Sequence, residues 1–195
     1  MNLPNKLTLS RFGMTLVFFL LLYADFALAN SMALVVFVTA SLTDLLDGKI
    51  ARSRGLITNF GALMDPLADK ILTGAAFIAF VELQIMPAWM AVVIVSRELS
   101  ITGLRMLAAS KGYVMAAEGW GKHKTVSQMT AIIVVLLSLS ASEWGGFGGF
   151  LMREVGGAPW IDTLARLLIW ISVALTALSG GLYLWNNRDL YLKDA

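Results

Sequence analysis

Apolar residues fall in six long runs along the chain, and short polar segments separate them. The runs cover residues 12–29, a stretch from about 31 to 48, a stretch from about 65 to 85, and then 86–109, 125–141 and 160–185. A helix needs about 20 residues to cross the hydrocarbon core of a membrane. The pattern therefore predicts an all-α membrane protein with six transmembrane helices.

Two shorter segments outside these runs have a distinct composition. Residues 2–11 place Pro4 where a first helical turn accepts it and give the segment a rough apolar side, which favours a short N-terminal juxtamembrane helix; a frayed terminus is the alternative. Residues 145–149 contain four glycines but lack the strand and the Lys-Ser/Thr pair of a phosphate-binding loop. We expect a flexible outer loop there.

The composition supports the membrane assignment. Of 195 residues, 58% are hydrophobic and 14% are charged, whereas soluble domains carry about 25% charged residues. Six spans leave no room for a sizeable soluble domain, so we expect one integral-membrane domain over residues 1–195. The chain has no Cys, which excludes a thiolate nucleophile and a Cys-based zinc site.

The net charge of +2 says less than the positions of the cations. Lys and Arg gather before the first run, in the second and fourth connections and in the C-terminal tail, whereas Arg153 is the one clear cation in the other loops. By the positive-inside rule both termini are then cytoplasmic. The N-terminus also resembles a signal peptide ending at residues 27–29, but cleavage would disrupt this alternation. We expect a multi-pass protein of the bacterial inner (cytoplasmic) membrane, with no nucleic-acid partner.

Four aspartates gather in a part of the chain that otherwise has few acids. They are Asp44 and Asp47 near the end of the second run, and Asp65 and Asp69 at the start of the third. Spacings of three and four residues place each pair on one helix face. We expect Pro66 in a first helical turn and a connection containing Gly55 and Gly61, which would let the two faces meet.

Converging carboxylates near a membrane interface require either a bound cation or protonation. Oxygen ligands with no Cys or His nearby favour Mg²⁺, Mn²⁺ or Ca²⁺, and two such ions can clamp a diphosphate during displacement at phosphorus. Gly48 and Ala51 would let a ligand approach the backbone, and Arg52 and Arg54 would offer charge to a phosphate. The alternative is that these small residues only pack helices and that the arginines snorkel to the interface.

The run Asp44-x2-Asp47-Gly48-x2-Ala51-Arg52-x8-Gly61-x3-Asp65-x3-Asp69 resembles the signature of the CDP-alcohol phosphatidyltransferases at every position. The resemblance implies six transmembrane helices, a homodimer and two divalent cations, Mg²⁺ or Mn²⁺, held by the four aspartates. It also implies that Asp69 is the general base. The residues expected to contact CDP-diacylglycerol are Gly48, Ala51, Arg52, Thr58, Asn5 and Thr8.

Residues 2–11, 96–105 and 121–128 resemble family members whose acceptor is glycerol 3-phosphate. The resemblance implies transfer of the phosphatidyl group from CDP-diacylglycerol to glycerol 3-phosphate, which gives phosphatidylglycerophosphate and CMP with the active site facing the cytoplasm. Membrane lipids are the other expected partners. We expect no ligand role for His123, the one histidine, because it has no His partner.

Cations near this predicted site favour the same acceptor, because glycerol 3-phosphate carries about two negative charges near neutral pH. Arg97 and Arg105 are eight positions apart and so lie near one face of the fourth helix. An arginine inside a span is costly unless it has a partner or a wet cavity. The candidate glycerol 3-phosphate contacts are Arg11, Arg97, Arg105, Lys122 and Lys124. The alternative is that Arg97 pairs with Glu98 and that the lysines only follow the positive-inside rule.

Three other functions remain open from the residues alone. The same chemistry with inositol phosphate or serine as acceptor would be distinguished by assaying each alcohol. A polyprenyl transferase also uses Asp-rich motifs and Mg²⁺, but such enzymes generally need more spans than 195 residues allow. A divalent-cation transporter would conduct ions without releasing CMP, and the arginines within the spans argue against a cation pathway.

Overall fold

The computed structural model describes residues 3–54, 59–110, 112 and 120–188. The described residues form seven α-helices and one short hairpin, in the order α1 (Leu3–Leu22), α2 (Ala29–Arg54), α3 (Asn59–Glu82), α4 (Ala88–Ser110), α5 (Trp120–Ala141), α6 (Gly145–Leu151), β1 (Glu154–Val155), β2 (Ala158–Pro159) and α7 (Trp160–Asn186). The all-α prediction is confirmed for these residues. The six long helices occupy the six apolar runs, although several ends differ.

The N-terminal segment does not form a separate short helix, so that prediction is wrong. Helix α1 begins at Leu3 and continues to Leu22 without interruption. Pro4 is tolerated because the first N–H groups of a helix have no partner within it. No further proline follows before Leu22, so the helix extends directly from the N-terminal segment into the first apolar run.

Helix α3 starts earlier than expected. It begins at Asn59, so Gly61 lies inside the helix rather than in the connection, and Pro66 lies in its second turn rather than its first. A proline inside a helix removes one backbone hydrogen bond, and the surrounding turns continue despite this loss. Gly55 and Thr58 lie outside the described residues.

The glycine-rich segment after α5 is helical, so the prediction of a flexible loop is also wrong. A Cβ atom added to Gly148 would lie 1.8 Å from the carbonyl oxygen of Ala141. Glycine is therefore required where α6 packs against the end of α5. The chain then turns through Gly156 and Gly157, both with positive φ, as a two-residue hairpin requires, and Glu154 pairs with Pro159.

The long helices surround one apolar core. Helix α1 packs against α2 and α3, α5 packs against α2 and α7, and α4 packs against α3 and α7. Phe18 of α1 and Phe37 of α2 are fully buried, with ring centroids 5.5 Å apart. Phe77, Phe80 and Ile132 extend the same core.

The outside of the helical bundle is apolar as well. Exposed aliphatic side chains occur on all six long helices, among them Leu16, Val35, Ile78, Val92, Val126 and Leu178. Within the described residues, two helical stretches are long and apolar enough to cross a membrane, His123–Ala141 and Trp160–Asn186, and Thr8–Leu22 and Ala29–Thr43 are shorter apolar stretches. Exposed apolar side chains on every long helix are typical of a surface that contacts lipid or another protein.

Candidate functional site

The four signature aspartates lie on two helices that contact each other. Asp44 and Asp47 lie in the C-terminal half of α2, and Asp65 and Asp69 lie in the N-terminal half of α3. Their helical placement agrees with the predicted sharing of faces. Their side chains are outside the described part of the structure, so the predicted metal ligation stays a prediction.

The expected CDP-diacylglycerol contacts are distributed over α1 and α2. Gly48, Ala51 and Arg52 lie on the turns of α2 that follow Asp47, and Asn5 and Thr8 lie near the start of α1. The side chain of Thr8 is fully buried, whereas those of Asn5 and Arg52 are not described. Helices α1 and α2 pack together, which is compatible with one binding site for both groups.

Glu98 is the centre of a charged cluster that links α4 to α5. One of its carboxylate oxygens, Oε1, accepts a hydrogen bond from Nη1 of Arg97 at 3.1 Å and another from Nζ of Lys124. The side chains of all three residues are mostly buried, and Lys124 is only 4% exposed. The sequence alternative that Arg97 pairs with Glu98 is therefore confirmed, and the same carboxylate also binds Lys124.

Arg97 also contacts α7. Its Nη2 donates to Oγ of Ser179 at 3.5 Å, and a Cβ atom on Gly180 would lie 2.6 Å from its Cγ. Glycine at position 180 therefore leaves room for the arginine stem. Among the described residues, the buried Nε of Arg97 has no hydrogen-bond acceptor. One N–H group of this side chain therefore remains free to donate a hydrogen bond beside Glu98.

Arg105 lies two turns further along α4 and contacts the same helix. Its Nε donates to the hydroxyl of Tyr183 at 3.2 Å, and its guanidinium carbon is 5.6 Å from the centre of the tyrosine ring. Tyr183 is buried, whereas Arg105 is exposed. The predicted common face for Arg97 and Arg105 is therefore confirmed, and that face packs against α7.

Lys70 is a cation of this region that the sequence analysis did not select. It follows Asp69 directly on α3, and its Nζ donates to Oγ1 of Thr102 on α4. Thr102 in turn donates to the backbone carbonyl of Glu98 at 2.7 Å. Lys70 could have been identified from the sequence by its position inside an apolar run next to Asp69. An ionisable residue within a transmembrane segment usually has a functional role.

Gln128 continues the polar contacts one turn after Lys124. It is buried, and its Nε2 donates to Oγ1 of Thr176 on α7 at 3.0 Å. Polar pairs of this kind hold helices together where no water is available. The hydroxyls of α7 were not identified from the sequence, because residues after 141 carry no motif.

The structure describes the two remaining predicted contacts to the acceptor in less detail. Arg11 lies on α1 with a fully buried side chain, and burial of a charged group is costly unless it is compensated. Lys122 lies on α5, and its side chain is not described. The structure thus brings Arg97 and Lys124 together through Glu98, and it adds Arg105 on the same side of α4.

The donors in this region fit hard divalent cations. The signature provides only carboxylate oxygens, the chain has no Cys, and the one His is exposed on α5. Such a donor set favours Mg²⁺ or Mn²⁺ over softer metals. Among the side chains that the structure describes, no group of three acids or histidines could hold a metal; the four signature carboxylates are not in that set.

Comparison with known proteins agrees with the signature. The family model described as CDP-alcohol phosphatidyltransferase matches residues 1–178. A Bacillus subtilis protein named CDP-diacylglycerol–glycerol-3-phosphate 3-phosphatidyltransferase is 38% identical over 96% of both chains, and a Rickettsia typhi protein of the same name is 32% identical over 93% of this chain and 94% of its own. A Mycobacterium tuberculosis protein named probable phosphatidylglycerophosphate synthase is 43% identical over 71% of this chain and 68% of its own. The chain belongs to the CDP-alcohol phosphatidyltransferase family.

Proposed function

We propose that this protein transfers the phosphatidyl group of CDP-diacylglycerol to glycerol 3-phosphate, with phosphatidylglycerophosphate and CMP as products. The observation that carries this proposal is the match to relatives named for that reaction, at 32–38% identity over most of the chain. The cluster of Arg97, Lys124 and Glu98 adds a physical reason, because a phosphate-bearing acceptor needs cationic donors.

The proposed location is the bacterial inner membrane, with the six long helices as spans and both termini in the cytoplasm. The apolar exterior of the bundle and the two long apolar stretches support this location. The alternating distribution of Lys and Arg supports the orientation. The C-terminal end of α2 and the N-terminal end of α3 then face the cytoplasm, and the signature aspartates with them. The homodimer implied by the family resemblance stays a prediction.

Asp44, Asp47, Asp65 and Asp69 would hold two divalent cations, Mg²⁺ or Mn²⁺. Bound divalent cations would neutralise charge on the diphosphate of CDP-diacylglycerol and on its leaving group. Gly48 and Ala51 would leave space for the nucleotide near the backbone of α2, and Arg52 would pair with a phosphate. These residue roles rest on the signature and on its placement along α2 and α3.

The chain's own groups would then position the acceptor and take its proton. Arg97, Arg105 and Lys124, with Arg11 and Lys122, would bind the phosphate of glycerol 3-phosphate and direct its 1-hydroxyl toward α3. Asp69 would accept the proton of that hydroxyl. The oxygen would attack the phosphorus that carries diacylglycerol, and the bond to CMP would break. Orientation of two bound substrates supplies much of the acceleration in reactions of this kind.

Release of CMP by the purified protein tests the proposal. We expect release with CDP-diacylglycerol and Mg²⁺ or Mn²⁺ only when glycerol 3-phosphate is present, and loss of release when a chelator is added. Release with serine or inositol phosphate in its place would assign another acceptor. Divalent-cation flux into vesicles without CMP release would support a transporter instead.

Replacement of Asp69 tests the assignment of the base. We expect Asp69→Asn to lower turnover by at least about a hundredfold, because a positioned general base contributes 10²–10⁴-fold. Binding of CDP-diacylglycerol, followed by equilibrium binding of a radiolabelled analogue, should change little. Turnover within tenfold of the unchanged protein would exclude Asp69 as the base.

A further inference from the structure

A cavity of about 530 Å³ opens at the end of the bundle opposite the signature aspartates. It is bounded by the connection between α3 and α4, the end of α5 and the start of α7. Its volume falls in the range of about 300–1,000 Å³ that is typical of small-ligand sites. In the proposed orientation it faces the outer leaflet, so it is separate from the site of phosphatidyl transfer.

Two opposite charges line this cavity. Asp162 and Arg166 are one helical turn apart on α7, and both border it. Oδ1 of Asp162 accepts a hydrogen bond from Oγ of Ser138 on α5. Among the described residues, the guanidinium of Arg166 makes no ion pair or hydrogen bond, and it does not pair with Asp162. The cavity therefore presents a separate cation and anion at neighbouring positions.

The rest of the lining is suited to an amphipathic ligand. Ile85, Met90 and Ile169 form apolar walls. Trp170 borders the cavity and contacts Trp89, with ring centroids 5.6 Å apart. Trp89 lies in the first turn of α4, and tryptophan is enriched at membrane–water interfaces.

We propose that this cavity binds one zwitterionic phospholipid whose headgroup carries a primary ammonium, as in phosphatidylethanolamine. The phosphate would pair with Arg166, and the ammonium would donate to the oxygens of Asp162 and Gln84. A quaternary ammonium has no N–H to donate, and an anionic headgroup leaves Asp162 without a cation. The acyl chains would follow the apolar exterior of α7. This inference depends on the proposed membrane orientation and not on the proposed activity.

Native mass spectrometry of the full-length protein in detergent tests the site. Phosphatidylethanolamine, phosphatidylcholine and phosphatidylglycerol with matched acyl chains would be added in equal amounts. We expect retention of phosphatidylethanolamine above the other two. Arg166→Gln should reduce that retention about tenfold, the usual order for one charge-assisted contact, and Arg166→Lys should preserve part of it. Asp162→Asn should remove the preference over phosphatidylglycerol.

Two exposed charges at the same end of the molecule are matched controls. Arg153 and Asp25 lie outside the cavity lining. The substitutions Arg153→Gln and Asp25→Asn should therefore leave lipid retention unchanged. CMP release by the Arg166 and Asp162 variants should stay at the rate of the unchanged protein. This measurement reports that both variants fold, independently of lipid binding.

Four results with added lipid would overturn the proposal, and a fifth concerns the dimer. These are equal retention of the three lipids, an unchanged adduct in Arg166→Gln, an equal loss in Arg153→Gln, or displacement of the lipid by an equal concentration of soluble phosphorylethanolamine. The last result would identify a soluble phosphate ester as the ligand. Loss of a dimer peak rather than of lipid in Arg166→Gln would assign the cavity to a second copy of the chain and would also overturn it.

Discussion

Glu98 compensates two mostly buried cations in the proposed acceptor region. Its Oε1 binds Arg97 and Lys124 together, so one carboxylate compensates two cations that would be costly alone. Removing one partner of a buried ion pair lowers the free energy of unfolding by more than the pair contributes to it. The reason is that the remaining charge stays buried without a partner.

We therefore expect Glu98→Gln to be destabilising even though glutamine has nearly the same shape. The loss should be about 3 kcal/mol, or about 6–12 °C in the thermal midpoint in detergent. Glycerol 3-phosphate should raise the midpoint of this variant more than that of the unchanged protein, because its phosphate replaces the missing negative charge.

Glu82→Gln, at an exposed position at the far end of α3, is the control and should leave the midpoint unchanged. An equal effect of glycerol 3-phosphate on the Glu98 variant and on the unchanged protein would argue against a phosphate pocket beside Glu98.

At the scale of the elements, one glycine of α7 leaves room for Arg97 of α4. Gly180 is buried against the stem of Arg97, whereas its neighbour Gly181 faces outward, and a Cβ atom added there would meet no other atom within 4 Å. Ala177, another small residue of α7, is exposed as well.

We expect Gly180→Ala to displace Arg97 and raise the KM for glycerol 3-phosphate about tenfold, with a smaller effect on kcat. Overpacking of this kind also costs about 1–3 kcal/mol of stability. Steady-state kinetics of CMP release would measure both constants.

Gly181→Ala is the matched control and should leave KM unchanged, with a gain of up to about 1 kcal/mol from helix propensity. Equal KM values in Gly180→Ala and Gly181→Ala would show that the position of Arg97 does not govern binding of the acceptor.

Glu143 links two other elements at the opposite end of the bundle. Its carboxylate accepts hydrogen bonds from the backbone N–H groups of Asn30 and Ser31 at 3.0 and 2.9 Å, and thereby satisfies the first turn of α2. Ser31 also accepts a hydrogen bond from the indole of Trp144. Burial raises the pKa of the Glu143 carboxyl, but the hydrogen bonds from Ser31 and Asn30 outweigh this effect and hold the pKa below its usual 4.5.

Because the pKa of Glu143 is lower in the folded state than in the unfolded one, its stabilising effect is complete above about pH 4.5 and declines as the pH falls through the folded pKa. We expect the thermal midpoint to exceed that of Glu143→Gln at pH 7, and the difference to shrink below pH 4.5.

Glu154→Gln, on the exposed hairpin, should show no such difference from the unchanged protein at pH 7. A midpoint difference for Glu143→Gln that stays constant from pH 7 to pH 3 would contradict the role of the ionised carboxylate.

At the scale of the whole molecule, charge is sorted along the bundle axis. Lys124, Arg97 and Lys70 lie on the side that the signature aspartates share, whereas the opposite end carries Glu143, Asp162 and Arg166. This distribution agrees with the proposed orientation and separates the proposed catalytic site from the cavity beside Asp162 and Arg166.

The absence of Cys makes the orientation directly testable with single cysteines. In intact spheroplasts, we expect a membrane-impermeant maleimide to label Val155→Cys on the hairpin. Ser110→Cys, at the end of α4, should be labelled only after permeabilisation. Both positions are exposed, so a difference reports the side of the membrane. Labelling of Ser110→Cys from outside would reverse the proposed orientation.

The sequence by itself determined the long helices and the positions of the signature residues on them. The period of apolar residues and the length of each run are local properties, so they specified the helices without knowledge of their neighbours. The same locality explains the errors. The helical form of α6, for example, involves the close approach of Gly148 to Ala141, which a single segment does not report.

Which helix faces contact each other was determined only by the tertiary structure. Glu98 and Lys124 are 26 positions apart, and Ser31 and Glu143 are 112 apart. Nothing in the local pattern distinguishes Gly180, which makes room for Arg97, from Gly181, which does not. The physical reason is that a charge or a small residue gains its role from the side chain placed opposite it, and that partner is chosen by the packing of whole helices.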